Sequence, residues 1–427
     1  MRRIIFHIDV NSAFLSWTAV EQLKNGAELD IRTIPAIIGG DKSSRHGVVL
    51  AKSTPAKKYG IRTGEPVVNA FKKCPNLHMA SPDHKMYREY SRKLMEFLHT
   101  YTPDIEQVSV DECYMDFTGI AHLFPSPLDA ALEIKDRVYE KFGFTVNVGI
   151  SSNKLLAKMA SDFEKPNRVH TLFPEEIQVK MWPLPVSELF MAGRSSVETL
   201  QKLEIRTIGD LAQTDPELIA LHLKSHGRML WQFANGIDES EVQPEEAAAK
   251  GIGNSTTLPK DVETEEEARK TLLMLAESVG RRLRKAGQKA NMVSVEIKYS
   301  DFTTASHQKQ LLKASNADTV LYEAACGLFA ELWSGEPVRL LGIRTSKLTD
   351  EDEPEQLSIF DIPLESKTQE AERRKRERKA KLEKLNLAMD EIRGRYGKDA
   401  IVRGSMMRRD TEVGWDQERQ EREEKEE

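Results

Sequence analysis

The sequence predicts an α+β protein of several domains, and three observations predict it. Within the first 150 residues a strand, a helix and two antiparallel strands recur, which is the pattern of a ferredoxin-like sheet. Short helices separated by glycine turns follow between residues 186 and 240. Beyond residue 250 a long helix and alternating strands resume. At 427 residues, with 39% apolar and 30% charged, the chain has material for roughly two to four hydrophobic cores.

Charge and cysteine usage narrow the class. The net charge of −6 is not the bulk basic signature of a nucleic-acid binder, so any such contact must come from local patches. The apolar run near the N-terminus is far shorter than the roughly 20 residues a membrane span needs. Cys74, Cys113 and Cys326 fit neither a disulfide framework nor a zinc pattern. They are expected to be reduced core thiols in a soluble, cytoplasmic protein.

The elements follow in order. Ile4 to Asn11 reads as a strand ending in Asp9, and Ser12 is placed to cap the helix that begins with Ala13-Phe14. Gly39 to Gly47 is a glycine-rich basic turn, Val48 to Ala51 a strand, and Ser53 to Gly60 a short helix started by Pro55 and stopped by Gly60. An amphipathic helix spans 84–101, with Tyr87, Leu94, Phe97 and Leu98 near helical spacing. Ile105 to Thr118 alternates like a strand pair. A helix over 127–142, a strand from Phe144 to Ile150 and a helix from Asn153 to about Phe163, capped by Ser152, complete the first part; Pro166 enforces the stop.

Pro183-Leu184-Pro185 marks a boundary, followed by short helices at 186–189, 196–203 and 207–212 and a longer one toward Asn235-Gly236. Residues 241–250 read as a linker. A helix from Glu265 to Ala286 ends in Arg281, Arg282, Arg284 and Lys285, a basic cluster suited to duplex backbone, and strands follow at Val293–Tyr299 and Val338–Lys347. Residues 350–354 are acidic and expected to be disordered. The basic run Arg373–Lys384 reads as a solvated helix face, Leu385–Tyr396 as an amphipathic segment, and the Glu-rich end as disordered.

The chemistry concentrates on Asp111 and Glu112, adjacent carboxylates in the middle of the 105–118 stretch. Neighbouring side chains on a strand point to opposite faces, so both reach one point only if the backbone turns between them or a cation neutralises them. If the strand ending in Asp9 pairs alongside, three carboxylates converge into an oxygen-rich pocket suited to Mg²⁺. Two such ions about 4 Å apart suit in-line phosphoryl transfer. The plainer reading of each acid alone is an ordinary strand-end or turn residue.

Three blocks, HIDVNSAF at His7–Phe14, SVDECYMDFT at Ser109–Thr118 and VGISSNKLLAKMASDFEKPN at Val148–Asn167, stand in the order and at the spacing of one family. The chain resembles the Y-family (DinB/UmuC-type) translesion DNA polymerases. The resemblance implies a ferredoxin-like palm (1–30 and 75–182), small fingers (31–74), a helical helix-hairpin-helix thumb (183–240), a linker (241–250), an α/β little finger (251–349) and a C-terminal tail (350–427). It implies that Asp9, Asp111 and Glu112, with the carbonyl of Val10, hold two catalytic Mg²⁺ ions. Phe14 becomes the steric gate against a ribose 2′-OH, where the residues alone suggest a core aromatic.

The family's fingers usually place a tyrosine and an arginine three apart over the incoming nucleotide; here those positions hold Thr54 and Lys57. A lysine is a point charge where arginine is a fork, so phosphate attraction persists with looser geometry. Lys165 would reach the triphosphate, although a lysine at a helix C-terminus also complements the dipole. In the thumb, Met191-Ala192-Gly193-Arg194 keeps only one of the two usual hairpin glycines. Gln356, Leu357, Ile359 and Phe360 resemble the peptide by which bacterial polymerases bind the sliding clamp.

The expected activity is therefore template-directed addition of deoxynucleotides to a primer, low-fidelity translesion synthesis in DNA repair by a monomer, with primer-template DNA, deoxynucleoside triphosphates and the clamp as partners and no membrane. A catalytically inert, clamp-bound repair adaptor is the alternative, disfavoured by retention of all three acids. A nucleotide cyclase or metal nuclease leaves the thumb-like helices and the clamp peptide without a role.

Overall fold

Strand β1 (Ile5–Val10) lies at the centre of a five-stranded sheet because Phe6, Ile8 and Val10 alternate into one core while His7 and Asp9 face the other way. The computed structural model describes residues 2–40, 47–245, 248–353 and 366–397, together with 400, 401 and 404. The chain divides into two units, Met1–Ala247 and Ala248–Glu427. The first continues through α1 (Ala13–Lys24), β2 (Ala36–Gly39), β3 (Val49–Lys52), α2 (Thr54–Lys57), α3 (Val67–Lys73), β4 (His78–Ala80), α4 (His84–Leu98), β5 (Ile105–Gln107) and β6 (Glu112–Asp116). Then come α5 (Pro127–Phe142), β7 (Val146–Ser151), α6 (Lys154–Asp162), β8 (Val169–Thr171), α7 (Ile177–Lys180), α8 (Arg194–Lys202), α9 (Ile208–Gln213) and α10 (Pro216–Ala234).

The central sheet runs β5-β6-β1-β7-β8. Its first four strands are antiparallel in the ferredoxin-like order, and β8 adds parallel to β7. One face packs Phe6, Ile8, Cys113, Met115, Val148 and Ile150 against the Tyr87 and Leu94 side of α4 and the Ile134 and Val138 side of α5. The other face receives α6, which approaches closely at Gly149.

A three-stranded sheet, β3-β2-β4, builds a small separate core from Ile37, Val49, Ala56 and Val67. Helices α8, α9 and α10 share a third core around Leu200, Ile208, Leu211 and Leu230 with Leu156 and Met159 of α6. Helix α10 breaks at Lys224. At the hairpin before α8, Met191 takes φ 67°, the left-handed conformation that favours glycine. A methionine thus takes the left-handed position of this turn, where a glycine would be unstrained.

Two caps differ from expectation. Ser12 occupies the position before α1 but makes no side-chain cap, because its backbone is itself left-handed (φ 50°). The cap of α6 is Asn153, whose side chain accepts from the Leu156 amide at 2.9 Å, and not Ser152. By contrast α2 is capped by Ser53, which accepts from the Ala56 amide at 3.1 Å, and Gly60 adopts φ 71° where the chain turns away.

The second unit is a four-stranded antiparallel sheet, order β11-β10-β12-β9, formed by β9 (Gly251–Val262), β10 (Gln288–Tyr299), β11 (Thr304–Ser315) and β12 (Val338–Asp350). Helices α11 (Glu265–Lys285) and α12 (Asp318–Leu332) cover one face around Leu272, Val279, Val295, Phe329 and Leu341. The acidic segment expected at 350–354 begins inside β12, whose last residue is Asp350.

The basic run and the amphipathic segment form one helix, α13 (Ser366–Tyr396). Its C-terminal half is docked, with Asn386 and Met389 buried. Arg393 pairs with Glu277 of α11 at 2.9 Å, both side chains under 10% exposed. Arg284, expected in a cluster facing DNA backbone, is instead a structural residue: it pairs with Asp318 at 2.8 Å and Asp390 at 2.7 Å. Breaking such a buried pair from one side costs about 3–5 kcal/mol, because the remaining charge has no water to return to.

Candidate active site

The end of β1 and the β5–β6 turn are bonded together. The amide of Val10 donates to the carbonyl of Asp111 at 2.9 Å, and Asp9 stands opposite Glu112 in the strand register. Residues a hundred positions apart thus become neighbours through two strands whose apolar alternation aligns them. The turn itself is fixed by Ser109. Its hydroxyl donates to Asp111 Oδ1 at 2.7 Å and accepts from the Glu112 amide at 3.2 Å, so the backbone bends where the two acids part.

The side chains separate. Asp9 Oδ2 is bound by the Lys165 ammonium, which also meets Asp162 at 2.8 Å. Glu112 Oε2 lies 3.1 Å from Lys158 and 3.4 Å from His7 Nε2. Among the described residues no three His, Cys, Asp or Glu side chains stand close enough to hold a metal ion. The expected convergence is one of backbones, with two of the three carboxylates turned to lysines of the α6 segment.

The electrostatics follow from those contacts. Burial pushes the Asp111 carboxyl up, the Ser109 hydrogen bond counters, and the nearby charges of Asp9 and Glu112 push it further. Glu112 is held down at about 2 by His7 and Lys158 against the cost of its burial. Ser161 gives its proton to the Lys158 carbonyl at 2.8 Å, so His7 Nδ1 donates to Ser161 at 2.8 Å. Nε2 then donates to Glu112 only in the imidazolium. Burial lowers the His7 pKa, which leaves Lys158 as the lasting partner of Glu112. Lys165 is raised although burial opposes its charge, because Asp9 and Asp162 outweigh that penalty.

Asn11 and Asn147 tie the lysine-bearing turn to the sheet. Asn11 accepts at Oδ1 from the Asn167 amide at 2.8 Å, and its Nδ2 donates to Asn147 Oδ1 at 3.1 Å. Asn147 donates in turn to the carbonyls of Ser161 at 3.0 Å and Glu164 at 2.7 Å, closing the C-terminal end of α6.

A cavity of about 580 Å³ opens here, lined by Asp9, Val10, Phe14, Thr54, Lys57, Asp111 and Lys165. Seven of the eight residues singled out from the sequence for metal and nucleotide thus share one space, and Glu112 is not in its lining. The Phe14 ring is partly buried and stacks on Tyr87, centroids 4.4 Å apart at 11°. The ring therefore packs on the core and also borders the cavity. The first turn of α1, which has no side-chain cap, also borders it at Ala13 to Ser16.

Sequence reasoning missed Lys52 and Arg32 in the lining, and Lys158 beside Glu112. Lys52 ends β3 just before the Thr54–Lys57 helix that carries the two fingers positions singled out from the sequence, and that nearness was the available signal. Gln356, Leu357, Ile359 and Phe360, together with Asp41 to His46 of the basic turn, lie outside the described residues. The three cysteines are free and buried.

Residues 8–162 match the model of the impB/mucB/samB family, and residues 249–359 match that family's C-terminal domain. A DNA polymerase IV of Clostridium acetobutylicum is 47% identical over 412 residues, covering 96% of this chain and 100% of the relative. A DNA polymerase IV of Alkaliphilus oremlandii is 37% identical over 411 residues, covering 95% of this chain and 100% of that protein. Among solved structures, a Y-family DNA polymerase chimera superimposes with a TM-score of 0.70 at 23% identity, covering 81% of this chain and 99% of its own. That likeness concerns the fold.

Proposed function

Because the chain belongs to the impB/mucB/samB family and is a Y-family, DNA-directed DNA polymerase, we propose that it extends a primer by a two-metal mechanism and copies past damaged template bases in DNA repair. The observation that carries the reading is the shared cavity, which hard oxygen donors at Asp9, Asp111 and Val10 line together with cationic Lys57 and Lys165 and the Phe14 ring.

The donor set suits Mg²⁺. Asp111 is a half-buried carboxylate crowded by two like charges, with Ser109 as its hydrogen-bond partner, which is a site short of positive charge. Asp9, Asp111 and the Val10 carbonyl would hold the ions, with Glu112 completing the set by turning from Lys158. When bound, such ions activate a primer hydroxyl and neutralise charge on the transferred phosphoryl group. The chain's own work is positioning. Lys57 and Lys165 attract the triphosphate, Lys165 exchanging Asp9 for a phosphate oxygen, and the Phe14 ring fills the volume a 2′-OH would take. Gln356, Leu357, Ile359 and Phe360 would tether the enzyme to a sliding clamp through an aliphatic-aromatic anchor.

Primer extension with purified protein, Mg²⁺ and deoxynucleotides tests the activity, and template-dependent products are expected. A second measurement tests the gate. Phe14→Ala should lower the preference for deoxy- over ribonucleotides by about 10²-fold, since a site that excludes by volume loses discrimination when the volume is freed. Tyr87 remains to close the core behind it, so the protein should stay folded. Unchanged sugar preference would return Phe14 to a packing role.

A further inference from the structure

We propose that Lys52 is a ligand of the incoming nucleotide's triphosphate, acting with Lys57 as a pair of point charges where the family pattern has one arginine fork. The inference rests on the reading of the cavity as a nucleotide site. Strand β3 has Val49 and Ala51 buried and Leu50 and Lys52 half-buried, and Lys52 stands opposite Ile37 in the register, so Lys52 brings a charge to the end of a strand otherwise made of apolar residues. It lines the same cavity as Asp9, Asp111, Thr54 and Lys57.

The charges around the cavity separate into two sets. Lys165 is committed to Asp9 and Asp162. Arg32 is committed to Asp30 at 2.8 Å and donates to the Gly143 carbonyl at 2.7 Å. Lys52 and Lys57 have no acid within ion-pair distance among the described residues. Burial disfavours the Lys52 ammonium, and Lys57, Arg62 and Lys73 add repulsion. Glu65, which offsets them in part, is itself held by Lys73 at 2.6 Å and by the Arg62 amide at 2.7 Å. Two ammoniums without an acidic partner among the described residues, lining one cavity with Asp9 and Asp111, make an anion seat suited to a ligand that carries several negative charges.

The chemistry also accounts for a departure in the sequence. A guanidinium grips phosphate with two parallel N–H bonds, whereas an ammonium offers a single point of attraction. Losing the fork at position 57 therefore calls for a second cation, and β3 places one at position 52 on the cavity wall.

Single-nucleotide incorporation on a primer-template separates the outcomes. Lys52→Ala should raise KM for the deoxynucleotide about tenfold while kcat changes much less, the pattern of lost binding shared by ground and transition states. Inhibition by inorganic triphosphate should weaken in parallel, and Kd for primer-template DNA should not move. Lys52→Arg should restore KM, which shows that the variant is folded. Unchanged KM in Lys52→Ala, or weakened DNA binding in its place, overturns the inference and leaves the polymerase reading intact. A wild-type protein that does not extend the primer overturns both.

Discussion

Asp111→Ala is expected to reduce primer extension by about 10³-fold or more, since an interaction that stabilises transition-state charge by several kcal/mol is lost with the carboxylate. The prediction is sharp because the substitution spares the residue's backbone contact and gives up, besides the charge, only the hydrogen bond from the Ser109 hydroxyl. What joins the turn to β1 is the carbonyl of Asp111, which accepts from the Val10 amide at 2.9 Å, and alanine keeps that carbonyl. The carboxylate is half-buried, crowded by Asp9 and Glu112, and raised in pKa by burial. Removing it relieves a native-state cost, so the thermal midpoint should hold or rise while activity falls, the usual sign of a functional acid held against stability. Asp111→Asn should behave alike, because it preserves shape and a bond to Ser109 but not the charge. Extension that survives in both variants would mean that the reacting centre lies elsewhere.

The elements around this site were legible because each has a strong local signal. The period-two pattern of Phe6, Ile8 and Val10 fixes which face of β1 meets the main core, and the same pattern in Cys113 and Met115 brings Asp9 opposite Glu112. Side-chain choice was not legible. Nothing in the spacing says that Glu112 turns to Lys158, 46 residues away, because that depends on how closely α6 approaches the sheet. Arg284 misled for the same reason: it stands among other basic residues, and its partners Asp318 and Asp390 are 34 and 106 positions away. Strand β11 was missed because it is an edge strand with mostly exposed side chains, which removes the hydrophobic alternation on which strand recognition depends.

Gly149→Ala is expected to destabilise the first unit by more than about 3 kcal/mol, above the usual range for one added methyl in a packed core. A Cβ at this position of β7 would lie 1.9 Å from the Ala157 carbonyl oxygen and 2.5 Å from the Ser161 amide nitrogen. Both are backbone atoms of α6, so no rotamer change absorbs the clash and the helix as a whole must retreat. Retreat reaches the site directly. Helix α6 carries Lys158, which holds Glu112 at 3.1 Å, and Asp162, which orients Lys165. The carbonyls of Ser161, in its last turn, and of Glu164, just past its end, depend on Asn147, two residues before Gly149 on the same strand. Denaturant unfolding should therefore show a lower midpoint, and the folded fraction that remains should show a higher KM for the nucleotide than wild type, because Lys165 is displaced. Gly143→Ala provides the contrast. That glycine is left-handed at φ 79° with its nearest neighbour at 3.4 Å, so alanine there strains a turn by about 1 kcal/mol without moving α6, and KM should be unaffected. An unfolding midpoint for Gly149→Ala equal to wild type would show that the helix and sheet are not packed as closely as this glycine implies.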